Sequence, residues 1–226
     1  MAQPSLGRDL LEDAGLSLAV SRYRDRLLGR LGLEAGRGRT ALDLGCGDGM
    51  EAGWLAERGW KVEAYDLEPH PRWAALARQY KGRIRFGTAD AARLGQLKKP
   101  YALVFQKDML HHVPDPAAVL RQMRRLTAEG GLAVVLECNR LNPVFYLHLT
   151  LMKGHQHFTR WRLRQLLDEA GLDGYELKLI EARVWPVESP ALQGLAERLQ
   201  DLAEALPPWR PFICYPAALW RRKGRA

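Results

Sequence analysis

From Thr40 onward, short apolar runs alternate with stretches whose apolar residues recur every three or four positions. The short runs predict strands at 40–44, 61–66, 83–86, 101–105, 132–137, 175–180 and 212–220. The run at 101–105, TyrAlaLeuValPhe, has no charged residue and suits a strand buried on both faces. Between the strands, the spacing predicts helices at 50–58, 71–80, 116–128 and 190–206. A further helix starts at Thr159 as its cap, buries Leu163, Leu166, Leu167 and Ala170 on one face, and stops at Gly171. Ahead of the first strand, Leu10, Leu11, Leu18, Tyr23, Leu27, Leu28 and Leu31 predict a helix over 8–34, which Gly32, Gly36 and Gly38 end. Strands alternating with helices imply βαβ units. The expected fold class is therefore α/β: a seven-stranded, mostly parallel sheet with helices on both faces and an N-terminal helical cap. The whole chain, 1–226, reads as one domain. Its parts are the cap (1–38), a ligand-binding core (39–182), and a C-terminal helix and last strand with a basic tail (183–226).

Composition narrows the class. With 226 residues, 47% hydrophobic and 27% charged, the chain can bury a core without disulfides or metal. Cys46, Cys138 and Cys214 are scattered and odd in number, which suits a reducing compartment and no zinc or redox pair. The first residues carry acids where a signal peptide would be apolar, and no apolar stretch reaches the roughly 20 residues that span a bilayer. The expected location is cytoplasmic. Four of the net +8 charges lie in the last six residues, so much of the excess belongs to the tail and not to a basic surface.

In such sheets ligands bind at the carboxyl ends of the strands. The first strand runs into LeuAspLeuGlyCysGlyAspGly, 42–49, whose Gly45, Gly47 and Gly49 permit a tight turn and close approach of a ligand to the backbone. A dinucleotide also fits such a turn. Here, however, Asp43 and Asp48 flank it, and they suit a ligand bearing a cation better than a pyrophosphate. The GlyXGlyXXGly spacing of nicotinamide enzymes is absent. Asp66, ending the second strand, is placed to accept ribose hydroxyls. Asp90, after the third, is placed for an adenine amino group, with Ala91 leaving room for the ring. S-adenosyl-L-methionine carries both an ammonium and a sulfonium.

The run as a whole resembles the class I S-adenosylmethionine-dependent methyltransferases, in the style of the branch that includes the ubiquinone and menaquinone biosynthesis enzymes. The match comprises Asp43–Gly49, Asp66, Asp90, Leu110–Pro116 with its Leu-His-His-Val core, Gly130-Gly131, and the Phe158–Gly171 helix, over roughly residues 40–182. Glu129, Gln106 and Lys107 depart from the family's commoner residues. The resemblance implies a Rossmann-like fold and methyl transfer from S-adenosyl-L-methionine to a small-molecule acceptor, apolar or aromatic. The implied cofactor contacts are Asp43, Gly45, Cys46, Gly47, Asp66, Leu67, Asp90, Ala91, Gln106 and His111.

A general base is needed where the nucleophile must lose a proton, and histidine serves at neutral pH. His111 is the first candidate, and shaping the loop is its other role. His155 and His157 precede the last core helix and suit either a substrate contact or a helix-start contact. No third ligand accompanies this HisXHis pair, so no metal site is expected. Glu137, Asn139 and Asn142 follow the fifth strand, where an acceptor would lie or a turn would form. The apolar Val144–Met152 suits a lid or core packing. Tyr23 and Arg26 suit a cofactor contact or packing. Two other readings stay open: an RNA or protein acceptor, which the charge favours but no basic, aromatic stripe supports, and a non-catalytic scaffold of the same fold. Oligomeric state is not legible.

Overall fold

A computed structural model describes residues 17–143, 146–152 and 157–224. The elements are α1 (Ser17–Leu31), β1 (Thr40–Leu44), α2 (Met50–Glu57), β2 (Lys61–Asp66), α3 (Trp73–Gln79), β3 (Ile84–Thr88), β4 (Tyr101–Lys107), α4 (Pro116–Leu126), β5 (Thr127–Leu136), α5 (Arg160–Glu169), β6 (Glu176–Ile180), α6 (Pro190–Ala205), α7 (Arg210–Ile213) and β7 (Tyr215–Arg221). A 3₁₀ turn at Leu110–His112 and a π-helical turn at Tyr146–Met152 interrupt the connections. The seven strands lie in the order β3-β2-β1-β4-β5-β7-β6. All pair in parallel except β7, which is antiparallel to both β5 and β6.

The period-2 alternation of strands divides the core into two layers. On one face, Ala41, Leu103, Phe105, Leu132, Val134 and Leu136 pack under Leu27 and Leu31 of α1 and Trp54 and Leu55 of α2. On the other, Leu42, Leu44, Val104, Ala133 and Val135 pack under Leu120 and Met123 of α4 and Leu163, Leu166 and Leu167 of α5. Tyr101 joins this second layer although Leu103 joins the first, because the β4–β5 register shifts between them.

Several sequence boundaries move. The third strand runs over Ile84–Thr88 instead of 83–86, since its partners along β2 extend to Asp66. The helix expected to reach 128 stops at Leu126: Thr127 Oγ1 closes it on the Met123 carbonyl at 2.7 Å, and Thr127 already pairs with Tyr101. The strand expected over 212–220 begins at Tyr215, because Trp209 and Pro211 start the short α7 first. Of the helix expected over 8–34, Ser17–Leu31 is helical, and Leu10 and Leu11 lie outside the described residues. Among the described residues no helix is long and apolar enough to cross a membrane.

Candidate active site

The carboxyl ends of β1, β2, β4 and β5 converge. At the end of β1, the amides of Gly45 and Cys46 donate to the Tyr65 carbonyl at 2.8 and 3.2 Å, which folds the glycine loop over the end of β2. Gly45 has φ 69°, and a Cβ there would lie 2.3 Å from Met109 Cγ, so only glycine lets the segment after β4 close on this loop. Asp66 fixes the loop from the other side: its Oδ2 accepts from Gly47 N and its Oδ1 from Leu67 N, both at 2.7 Å. An ionised carboxylate offers about four acceptor positions, so Asp66 keeps capacity for two hydroxyl donors. The Trp73 indole donates to the Gly47 carbonyl at 2.8 Å and stacks on Phe86 with ring centres 5.1 Å apart. Neither aromatic was singled out in the sequence.

Asp43 is the electrostatic centre. It is buried, and its Oδ2 meets no hydrogen-bond donor among the described residues. Burial first, then the carboxylates of Glu51, Asp66 and Asp48, push its carboxyl well above the usual carboxylate range, with Lys107 opposing. A buried acceptor in a concentration of negative charge favours a cationic ligand, whose arrival would stabilise the ionised form. The two acids flanking the loop are not equivalent. Asp48 caps the start of α2 through Met50 N at 3.0 Å and pairs with Arg72 at 2.9 Å, so the protein itself answers its charge. Cys46 is buried, and burial with Asp43 and Asp66 drives its thiol upward, which leaves it an un-ionised wall of the loop.

The segment after β4 carries the second group. Gln106 is buried; its Oε1 accepts from Met109 N at 3.3 Å, and its Nε2 meets no acceptor among the described residues. Lys107 Nζ lies 2.9 Å from Asp108 and 3.5 Å from Glu51. Asp108 adopts φ 53°, and its amide donates to the Leu136 carbonyl at 2.8 Å, which turns the chain into the Leu110–His112 turn. Glu137, one residue beyond β5, reaches under this turn. Its Oε1 accepts from Met109 N at 3.1 Å and Leu110 N at 2.8 Å, and its Oε2 lies 2.7 Å from His111 Nδ1. Burial pushes the Glu137 carboxyl up, and His111 counters it. A neutral imidazole that donates Nδ1–H to this carboxylate carries its lone pair on Nε2. The rings of His112 and His157 lie 4.0 and 4.2 Å from that of His111.

The remaining candidates are divided. Asp90 is exposed and caps a turn through Ala92 N at 2.8 Å, with Ala91 half-buried beside it; Leu67 is exposed. Asn139 is structural: its side-chain amide donates to the carbonyls of Pro211 and Cys214 at 2.8 and 2.9 Å, and its oxygen accepts from Leu141 N. Asn142 is buried beneath the turn that follows. Tyr23 packs edge-on against Trp54, and Arg26 bonds the Glu181 carbonyl, Asp201 and Glu204, so α1 is fastened to α6 instead of reaching the loop. Within the Val144–Met152 stretch, Tyr146, Leu147, Leu151 and Met152 are exposed rather than packed in the core. His155 lies outside the described residues. Among those described, no three His, Cys, Asp or Glu side chains are grouped to hold a metal ion. The Glu137–His111 pairing is the residue relation that sequence reading missed. The parallel pairing of Lys107 with Leu136 sets the segments that carry His111 and Glu137 side by side.

A doubly wound sheet whose first glycine loop is backed by a buried acid and tied to another acid at the end of β2 defines a Rossmann-like nucleoside-binding domain. The chain matches the model of a methyltransferase domain family over residues 16–177, and it belongs to that family. It is 34% identical over 113 residues to the ubiquinone biosynthesis O-methyltransferase of Pseudomonas paraeruginosa, covering 49% of this chain and 48% of that protein. Against methyltransferase GfsG of Streptomyces halstedii it is 27% identical over 204 residues, covering 84% and 72% of the two chains. The chain thus spans about half the length of the ubiquinone-related curated proteins it matches. Among solved structures, the Burkholderia thailandensis 1,6-didemethyltoxoflavin-N1-methyltransferase, with its acceptor and S-adenosylhomocysteine bound, superimposes with a TM-score of 0.56 at 21% identity, covering 99% of this chain and 92% of that one.

Proposed function

We propose that this protein binds S-adenosyl-L-methionine at the Asp43–Gly49 loop and transfers its methyl group to a hydroxyl of a small apolar or aromatic acceptor. The residues fit that donor: Asp43 offers a buried acceptor oxygen amid acids, Asp66 offers the remaining carboxylate positions, and Gly47, where an added Cβ would meet nothing within 4 Å, leaves the backbone bare. Asp90 and Ala91 border the adenine side, and Cys46, Leu67, Gln106 and His111 line the rest. When bound, the sulfonium supplies an activated methyl and departs as a neutral thioether.

What this chain contributes is position and a proton acceptor. Held orientation is worth about 7–11 kcal/mol of barrier in favourable cases. His111 Nε2 takes the hydroxyl proton while Glu137 steadies the imidazolium that forms, which adds typically ~10²–10⁴ in rate. The single observation that carries the hydroxyl assignment is the 2.7 Å contact between His111 Nδ1 and Glu137 Oε2. The exposed side chains of Tyr146, Leu147, Leu151 and Met152 support an apolar acceptor. By its name, the O-methyltransferase of Pseudomonas paraeruginosa agrees with an oxygen acceptor.

Titration calorimetry with S-adenosyl-L-methionine and with S-adenosylhomocysteine, followed by a screen of phenols, alcohols and amines with labelled donor, tests the reading. Binding of both ligands and label in phenols or alcohols is expected. Absence of heat with either ligand removes the donor assignment, and label found only in amines removes the role given to His111.

A further inference from the structure

α6 presents an apolar surface that the active site does not use. Its inner side buries Gln193, Ala196 and Gln200, while Glu197, Asp201 and Glu204 pair with Arg22, Arg26 and Arg30 of α1. Along its outer side run Leu192, Leu195, Leu199, Leu202 and Leu206, exposed by 51, 54, 46, 52 and 40%. Their separations alternate between three and four residues, the a/d seam of a heptad helix. Trp209 and Phe212 continue it, 62 and 45% exposed. Soluble monomers seldom leave so continuous a stripe uncovered.

We propose that this face of α6 pairs with the same face of a second copy of this chain, antiparallel about a two-fold axis. The pattern is complementary to its own reversal. Setting Leu199 against the partner's Leu202 also sets Leu195 against the partner's Leu206, and the two-fold axis repeats both contacts. The same register places Arg198, the charged residue beside the seam, against the partner's Ala203, so like charges do not meet. With Trp209 and Phe212, the exposed apolar surface is of the same order as the ~800 Å² per partner of a stable interface. A lipid surface fits less well, because α6 flanks the stripe with Ala191, Ala203, Ala205 and a single cation, Arg198, where a membrane-surface helix carries rows of Lys or Arg.

Sedimentation equilibrium of the full chain from submicromolar to high micromolar concentration tests the proposal. Wild type is expected to form dimers. Leu199→Glu, present twice in the interface, is expected to weaken association roughly 100-fold with an unchanged circular dichroism spectrum. Leu202→Asn gives the same readout should Leu199→Glu precipitate. A wild type that stays monomeric throughout overturns the proposal, as does a dimer that both folded variants preserve. Flotation of a monomeric wild type with anionic vesicles, lost in Leu199→Glu, also overturns it and assigns the stripe to a membrane surface.

Discussion

Glu137→Gln separates the proposed proton transfer from everything else in the site. The substitution keeps volume and changes the chemistry of one oxygen. In the wild type, Oε1 serves the amides of Met109 and Leu110 while Oε2 serves His111 Nδ1. A glutamine has a single acceptor oxygen, and the two backbone donors, fixed by the Leu110–His112 turn, claim it. The amide NH₂ then faces Nδ1, which accepts only in the tautomer that carries its proton on Nε2. The nitrogen meant to receive a proton from the acceptor now bears one. The expected loss is therefore the whole general-base contribution, ~10²–10⁴ in turnover, or about 3–5 kcal/mol of barrier. Folding should change less. The three hydrogen bonds made to the carboxylate lose its charge, about 1–3 kcal/mol together, and part of that returns because burial already disfavours the Glu137 carboxylate. Single-turnover methyl transfer to a hydroxyl acceptor, with donor affinity measured by calorimetry on the same sample, reads the two effects apart. A variant that binds donor normally and turns over as fast as wild type would refute the dyad.

Other outcomes follow from the same geometry. Asp66→Ala strips the loop of two backbone contacts and the ribose of its acceptor, and should weaken donor binding by roughly 1–3 kcal/mol in calorimetry; unchanged affinity removes the ribose role. Because burial and neighbouring acids raise the Asp43 carboxyl, a cationic donor should bind with release of a proton and more tightly as pH rises from the ordinary aspartate range. Calorimetry in buffers of different ionisation heat measures that proton, and Asp43→Asn should abolish it. Burial raises Glu181 from 4.5 to about 7 against the pull of Arg183 and Arg26. The folded chain therefore holds a proton that the unfolded chain has released between those values. Stability should fall by up to about 3 kcal/mol as pH rises through that window, and Glu181→Gln should flatten the slope in urea titrations.

Much of the architecture was legible because strand and helix periods differ and glycines mark the turns. The meeting of the glycine loop with Asp66 was readable for a further reason: the two stand at the ends of adjacent strands. What escaped was relational. Nothing in the pattern at 212–220 distinguishes a strand from a proline-started turn of helix followed by one. Asp43 and Asp48 look alike in sequence, and the Met50 amide with the distant Arg72 separates them. Arg26, facing the wrong way for a ligand, is fixed by acids about 175 residues away. Glu137 could be named as a polar residue at the sheet edge, but not as the partner of His111, until the order of β4 and β5 brought the two together.

The placement of β7 has a consequence for synthesis. β6 borders the sheet only through β7, and β5 receives its second neighbour only from the same strand. While the ribosome is still making residues 181–214, the five strands from β3 to β5 have been made but end in a bare, strongly apolar β5, and β6 has nothing to join. That nascent intermediate offers an open ladder to any extended chain nearby. Tyr215–Arg221 must arrive to close it.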